Sequence, residues 1–347
     1  MVKKRKRRRL KKGPMFILIL LMCGCGYFLF NKFVNKDDIV EKLDTVVPKE
    51  MVDVISTETD VRNIAVMINN HPKARPYMSG LEDAFLIYEI LVEGGYTRYM
   101  AIFNDKNTER IGSVRSARHY FLDYALENDA IYVHWGWSPQ AESDIRTMNV
   151  NNINGLQYEN TYFYRDTSLN VALEHTGFTS MEKIKNGIKG LSYNSKSKKD
   201  ALLNYSVSDV DLSSMEGSIV ANNIVIPYSG AVTNSYVYDP ETKMYLRFVN
   251  DAEHKDYVTK EQYSFKNIIT YKVSNTVIDN YGRLDISNIG SGEGYYITNG
   301  FAIPIKWEKS SRGSQTRYYF MDGKELEVSD GNTFIQIQPG SKTLAIS

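Results

Sequence analysis

The fold of the main body is decided by an apolar run near its start, Arg62-Asn63-Ile64-Ala65-Val66-Met67-Ile68-Asn69. This run predicts a buried strand. Further apolar or amphipathic segments follow at 85–92, 97–103, 116–126, 131–135 and 139–148. The periodicity of these segments predicts strands that alternate with helices, so we expect an α/β or α+β domain over 61–190.

The second half of the body has a different pattern. From 218 to 347, short runs rich in β-branched and aromatic residues are separated by turn signals such as Asp239-Pro240 and Asp322-Gly323. This pattern predicts a predominantly β C-terminal domain. Residues 191–217 are rich in Ser, Lys, Asn and Asp, which is typical of a linker.

Charge is strongly segregated along the 347 residues. The whole chain has 42 basic and 41 acidic residues, but nine of the basic ones lie in 3–12. Residues 13–347 therefore carry 42 − 9 = 33 basic groups against 41 acidic groups, a net charge of −8. A body of this sign is unsuited to nucleic acid, because binding to phosphates requires a basic face.

An N-terminal membrane segment is predicted at 15–34, behind a basic tail at 1–14. The run from Met15 to Phe30 has no charge, and acidic residues follow it in a stalk at 35–60. The basic side should stay in the cytoplasm, which places the body outside the cell as a single-pass membrane protein. The alternative is a lipoprotein signal cut before Cys25. We favour a signal anchor, because the apolar run continues beyond that residue.

Charged residues of the first domain form one candidate site. On a strand that starts at residue 85, Glu89 and Glu93 should share an apolar face, where unpaired carboxylates are costly. Arg98, Arg115 and Arg118 are the cationic candidates, for a ligand or for these carboxylates. The alternative is a structural Glu–Arg network that only holds loops.

Two histidines and a serine complete the candidate ligand-binding set. His71 and His134 end predicted strands, where α/β folds build their sites, and Ser138-Pro139 should cap the following helix. No two histidines have the spacing of zinc ligands, but the carboxylates are suitable ligands for Mg²⁺. The sequence has no recognised nucleophile motif and does not decide whether the protein is an enzyme. If these residues form a site, Glu89, Glu93, Arg98, Arg115 and His134 should line one open cleft.

Several of these motifs resemble the YerB family, whose members are exported, membrane-attached proteins of Firmicutes described as lipoproteins. The resemblance is carried by Asn69-Asn70-His71-Pro72, Glu89-Ile90-Leu91-Val92-Glu93-Gly94-Gly95, Gly112-Ser113-Val114-Arg115-Ser116-Ala117-Arg118 and Tyr132-Val133-His134. It covers about 60 to 345 and implies two domains of unknown function.

The order of anchor, strands, arginine-bearing turn and helix is also similar to LytR-type transferases. That likeness implies arginines that grip a pyrophosphate, with Glu89, Glu93 or Asp123 holding Mg²⁺ or acting as a base. We therefore expect a Gram-positive cell-envelope protein that binds or transfers a phosphate-bearing precursor of a wall polymer. The alternative is a non-catalytic module that docks on proteins of cell-wall synthesis.

Overall fold

The computed structural model describes Val54 and residues 61–104 and 106–347. The predicted tail at 1–14, the membrane segment at 15–34 and all of the stalk except Val54 lie outside the described residues. Among the residues that are described, no helix is long and apolar enough to cross a membrane.

The first part of the body mixes strands and helices, as the sequence predicts. Over the described residues of 61–190, the strands are β1 (Ile64–Asn69), β2 (Leu86–Leu91), β3 (Thr97–Phe103), β4 (Ile111–Gly112), β5 (Ile131–His134), β6 (Asn152–Asn154), β7 (Tyr164–Arg165) and β8 (Gly177–Thr179). The α-helices there are α1 (His119–Glu127), α2 (Pro139–Thr147), α3 (Gly155–Tyr158) and α4 (Met181–Gly190).

The second part is built from strands. Residues 218–347 are all described and contain no α-helix, which confirms the predominantly β prediction. Its strands are β10 (Ile219–Val220), β11 (Asn223–Pro227), β12 (Thr233–Asp239), β13 (Met244–Val249), β14 (Ala252–Glu253), β15 (Ser264–Phe265), β16 (Asn267–Val273), β17 (Asn275–Val277), β18 (Leu284–Ile286), β19 (Gly290–Thr298), β20 (Phe301–Lys309), β21 (Arg317–Phe320), β22 (Glu327–Ser329), β23 (Thr333–Pro339) and β24 (Ala345–Ile346). Ahead of them, β9 (Asn204–Ser206) lies in the segment 191–217 and pairs with β22.

One large sheet runs through both parts of the body. Its strand order is β10-β20-β19-β16-β23-β2-β3-β1-β5-β6, with β21 paired to β20. The two parts meet where β2 pairs in parallel with β23, from Leu86 beside Thr333 to Ile90 beside Ile337. The hydrogen bonds of the sheet therefore continue across the point where the sequence changes character.

Each face of the large sheet is covered by a different layer. On one face, Tyr88, Met100 and Ile102 pack with Phe121 of α1 and Ile145 of α2. On the other face, alternate residues of the same strands pack on a second sheet ordered β14-β13-β12-β11-β24, with β15 paired to β13. Because successive side chains of a strand point to opposite faces, each central strand contributes to both hydrophobic cores.

The start of α2 shows how the local sequence fixes a helix end. The side chain of Ser138 accepts a hydrogen bond from the backbone N–H of Ala141 at 3.2 Å, and Pro139 occupies the first helical position. Both features are favoured at helix N-termini, and both were predicted from the sequence. Ser138 therefore has a structural role in this fold.

Candidate functional site

Strand register separates two of the predicted site residues. In the antiparallel pair of β2 and β3, Glu89 lies opposite Tyr99 and Ile90 lies opposite Arg98. Neighbouring residues of a strand point to opposite faces, so Glu89 and Arg98 lie on different sides of the large sheet. The expectation that they line one cleft is wrong.

Glu89 belongs to an internal network. Its side chain is fully buried, and one carboxylate oxygen accepts a hydrogen bond from Arg247 at 2.7 Å. The other oxygen accepts from the hydroxyl of Thr97 at 2.6 Å. The remaining donors to this carboxylate are amide groups of Asn70, Asn234 and Gln336. With its hydrogen-bonding capacity used inside the protein, Glu89 is a structural residue and not a ligand-binding one.

Arg247 is the partner that sequence reasoning missed. It is completely buried and donates hydrogen bonds to the hydroxyl groups of Tyr236 and Tyr99 as well as to Glu89. In β13, Tyr245, Arg247 and Val249 share the inward face. The outward residues Met244, Leu246 and Phe248 are apolar as well, so the sequence of this strand does not show that Arg247 is buried.

His134 and Asp123 also face inward. His134 is buried, with Nδ1 2.8 Å from the carbonyl oxygen of Gly136, and burial lowers its pKa to about 4. Asp123 accepts hydrogen bonds from Arg312 at 2.6 Å and from Asn288 at 2.9 Å. His134 and Asp123 are therefore structural residues and do not contact Arg98, Arg115 or Arg118. Their prediction as ligand-binding residues is wrong.

A different group of predicted residues does come together. Arg98 lies on β3, Arg115 on the segment before α1, and Arg118 at the N-cap of α1; we call these three the arginine cluster. Their mutual repulsion adds to burial in lowering the pKa of Arg98 to about 9, so this side chain is still charged at neutral pH. The cluster is therefore a local excess of positive charge.

Glu93 reaches the cluster through a tight turn, not from a strand. β2 ends at Leu91, and a short turn at Glu93–Gly95 follows, with φ of 68° at Gly94 and 76° at Gly95. Both angles lie in the left-handed region that favours glycine. The Glu93 carboxylate then takes two hydrogen bonds from Arg118, at 2.5 and 2.8 Å. Burial alone would raise the pKa of Glu93, but these bonds hold it below its ordinary value.

Arg98 has no such partner. It is 6% exposed and donates to the backbone carbonyl oxygen of Ser116 at 2.5 Å. Within the described part of the chain, no carboxylate lies at ion-pair distance from this guanidinium. A buried cation with only a neutral acceptor is costly, so the surroundings of Arg98 favour the approach of an anion.

Arg115 is only loosely held. One terminal nitrogen donates to the backbone carbonyl oxygen of Glu174 at 3.2 Å. Both terminal nitrogens lie 3.4 Å from Oε2 of Glu174, whose side chain is 58% exposed. Its Nε is buried and has no hydrogen-bond partner in the described structure. Charge-assisted hydrogen bonds are normally shorter, about 2.7–2.9 Å, so Arg115 has unused capacity to bind an anion.

Two histidines lie beside Arg115. The rings of His71 and His175 stack with centroids 4.9 Å apart, and Tyr96 packs on His71 at 4.7 Å. Burial is the largest effect on both histidines, and with the charge of Arg115 it lowers the pKa of each. Sequence reasoning named His71 but gave no role to His175 or Glu174, because nothing local indicates that the turn at 173–175 returns to the end of β1.

The carboxylates suggested for Mg²⁺ are not arranged as a metal site. Glu89 pairs with Arg247, Glu93 with Arg118, and Asp123 with Arg312. Across the described residues, no group of three or more His, Cys, Asp or Glu side chains is placed to hold a metal ion. The chemistry that the cluster supports is anion binding by guanidinium groups, with imidazole N–H groups beside them.

Comparison with known proteins agrees with the two-part organisation. The profile described as "Protein of unknown function (DUF3048) N-terminal domain" matches residues 52–194, and the corresponding C-terminal domain matches 224–335. The Bacillus subtilis (strain 168) protein named "Putative lipoprotein YerB" is 34% identical over 294 residues, which is 83% of this chain and 85% of that protein. The crystal structure of YerB from Bacillus subtilis matches with a TM-score of 0.73 and 31% identity, over 84% of this chain and 97% of that one. The resemblance stated from the sequence is confirmed.

Proposed function

The chain belongs to the DUF3048 family of two-domain proteins, and we propose that it is an exported, membrane-attached protein that binds a phosphate-bearing ligand at the arginine cluster. The ligand class that fits best is a phosphate- or pyrophosphate-linked precursor of a cell-wall polymer. This choice follows from the order of elements predicted from the sequence, which resembles that of LytR-type transferases, and from the predicted position of the body outside the cell.

The observation that carries this proposal is the state of Arg98. Its guanidinium is almost fully buried, has no carboxylate partner in the described structure, and lies beside two further arginines. Two carboxylates, Glu93 and Glu174, pair with the three cations of the cluster. A phosphate group would bring the missing negative charge and several acceptor oxygens, which planar guanidinium groups bind in pairs.

Attachment to the membrane is supported by the N-terminal sequence and by the relative. The basic residues in 3–12 precede the uncharged run from Met15 to Phe30, as in segments that hold a body outside the cytoplasm. The Bacillus subtilis relative is named a lipoprotein, which is also an exported and membrane-attached class. The mass of the mature chain separates the two classes. A chain that retains residues 15–24 is a signal-anchored protein, and a chain that begins at an acylated Cys25 is a lipoprotein.

Titration of the full-length protein in detergent with inorganic pyrophosphate tests the ligand proposal. Arg115→Lys should weaken binding at least about tenfold, because lysine cannot make the paired hydrogen bonds of arginine. The melting temperature should be nearly unchanged, since the carboxylate that pairs with Arg115 is exposed and distant. The matched control is Arg317→Lys, which changes another surface arginine and should bind like wild type.

Three results would contradict the proposal. Wild-type protein that does not bind pyrophosphate, with or without Mg²⁺, would remove the ligand class. Equal binding by Arg115→Lys and wild type would move any site away from the cluster. An Arg115→Lys variant that unfolds would show that the arginines are structural partners of the neighbouring carboxylates.

A second candidate function, docking on a wall-synthesis protein, is favoured by the hairpin of β17 and β18. Its tip exposes large apolar side chains, with Val277 62% and Tyr281 80% exposed. Exposed large apolar residues that lie together on one surface hairpin are typical of contact surfaces. A photo-crosslinking residue at position 281 in living cells should capture an enzyme of wall synthesis, and the absence of any protein adduct would contradict this candidate.

A further inference from the structure

Glu174 lies in the most accessible part of the candidate site. It sits on a short turn at Leu173–His175, and its carboxylate bridges two of the site's donors. Oε2 is 3.4 Å from both terminal nitrogens of Arg115, and Oε1 is 3.5 Å from Nε2 of His175. One oxygen faces an arginine fork and the other faces an imidazole, which is also the arrangement that a bound phosphate adopts with such groups.

Hydrogen bonds fix the form of the imidazole that faces Glu174. The side-chain oxygen of Asn69 accepts from the backbone N–H of His71 at 3.0 Å, so its amide nitrogen must be the atom 2.9 Å from Nδ1 of His175. That nitrogen is a donor, and Nδ1 therefore accepts and carries no proton. The proton of the neutral ring is then on Nε2, which faces Glu174.

His71 is held in the same way. Its Nδ1 accepts a hydrogen bond from the backbone N–H of Lys73 at 3.2 Å, which leaves the proton of the neutral ring on Nε2. The stacked pair of His71 and His175 is thus set as two neutral Nε2–H donors beside a charged arginine. Neutral donors of this kind bind an anionic oxygen without requiring a proton from solvent.

The hold on Glu174 is weak compared with that on Glu93. Glu93 is 21% exposed and makes two bonds of 2.5 and 2.8 Å with Arg118. The side chain of Glu174 is 58% exposed, and its carboxylate contacts are 3.4 Å or longer. An exposed ion pair with long contacts contributes little, and its side chain can move into water.

We propose that the Glu174 carboxylate occupies the position of the ligand's anionic group, between Arg115 and His175, and that the ligand binds by displacing it. This inference rests on the proposed function and extends it, because it places the phosphate and adds two residues to the site. The displaced carboxylate swings outward, and the phosphate oxygens take over the Arg115 fork and the Nε2–H of His175. Glu174 therefore competes with the ligand for Arg115 and His175 and lowers the affinity of the site for anions.

Removal of the competing charge tests this inference. Glu174→Gln in the full-length protein should bind inorganic pyrophosphate up to about fivefold more tightly than wild type, the competition expected of an exposed ion pair. The matched control is Glu159→Gln, which removes a carboxylate that pairs with Arg165 on the neighbouring β7 strand. If Glu159→Gln tightens binding as much as Glu174→Gln, the effect is one of net charge and the inference is wrong.

The other outcomes separate this inference from the proposed function. Wild type that binds pyrophosphate, Arg115→Lys that does not, and Glu174→Gln with the affinity of wild type would together show that Glu174 is not a competitor. The same results would still support the anion site. If wild type does not bind pyrophosphate, both proposals are wrong.

Nuclear magnetic resonance of the histidine side chains gives a second readout. The ¹⁵N shifts of His175 should show an unprotonated Nδ1 and a protonated Nε2, and pyrophosphate should shift the Nε2 signal. A His175 signal that does not respond in pyrophosphate-saturated protein would overturn the placement of the phosphate. Protonated Nδ1 in the free protein would overturn the hydrogen-bond assignment on which it depends.

Discussion

Replacement of Arg247 by methionine should destabilise the protein by about 3–5 kcal/mol, because it leaves a buried carboxylate without its cation. Arg247 and Glu89 are both fully buried and are joined by a 2.7 Å contact. Thr97, Asn234 and Gln336 still donate to the carboxylate in the variant, so we expect the lower end of that range. The pair joins β2 to β13, and the loss should therefore affect both parts of the body in one transition.

Urea unfolding followed by tryptophan fluorescence measures this loss, with Trp135 and Trp137 in the first part of the body and Trp307 in the second. The double variant Glu89→Gln, Arg247→Met should recover at least about 1 kcal/mol of the loss, because it removes the orphaned charge. The control Arg317→Met breaks an exposed pair with Glu325 and should cost less than about 1 kcal/mol. A loss below about 1 kcal/mol for Arg247→Met would refute the view of Glu89 as a structural residue.

Three further predictions do not involve the arginine cluster: two concern single residues, and the third concerns the membrane topology. The pKa of His134 is about 4 in the folded protein against ~6.5 when unfolded, so its contribution to stability is complete above pH 6.5 and decreases as the pH falls towards 4. Urea unfolding of the wild type should show a free energy of unfolding about 2 kcal/mol lower at pH 5 than above pH 6.5 because of His134. The His134→Gln variant should not show this decrease. The same pH dependence in both proteins would contradict the burial of a neutral His134. Ser138→Ala should cost about 1 kcal/mol through loss of the helix cap and leave pyrophosphate affinity unchanged, whereas weaker binding would return Ser138 to the site. Protease added to intact protoplasts should remove the body and leave a small membrane fragment, and a protected body would contradict export.

Local signals in the sequence predict much of the first domain. The strand predicted over 62–69 spans 64–69, and the strand at 97–103 has the predicted bounds. The predicted helix after Ser138 begins at Pro139, as its cap and proline require. These elements are set by runs of apolar residues and by capping chemistry that act over a few positions. The same signals predict strands in the second half but give no information on which strands pair with each other.

The main errors concern long-range pairing. Glu89 looked available because its partner, Arg247, lies 158 positions away in the chain. The parallel pairing of β2 with β23 connects parts of the chain that no periodicity relates. The position of Glu93 was also wrong, because the sequence placed it on the same strand face as Glu89. β2 ends at Leu91, and Glu93 begins the turn in which Gly94 and Gly95 have positive φ angles.

The candidate site was predicted in part. The three arginines were named together from the sequence, and the structure places them close enough for Arg115 and Arg118 to affect the pKa of Arg98. His175 and Glu174 were not chosen, because they join the site through a turn that approaches β1 only in the folded chain. Residues brought together by a loop carry no shared spacing in the sequence.

A crystal structure of the full-length protein with inorganic pyrophosphate tests the central claim most directly. We expect pyrophosphate at the arginine cluster, with one phosphate group between the guanidinium of Arg115 and the Nε2–H of His175, Glu174 turned into solvent and Glu93 still paired with Arg118. Pyrophosphate bound elsewhere, with the cluster empty and Glu174 still between Arg115 and His175, would contradict the claim that the arginine cluster is the ligand site.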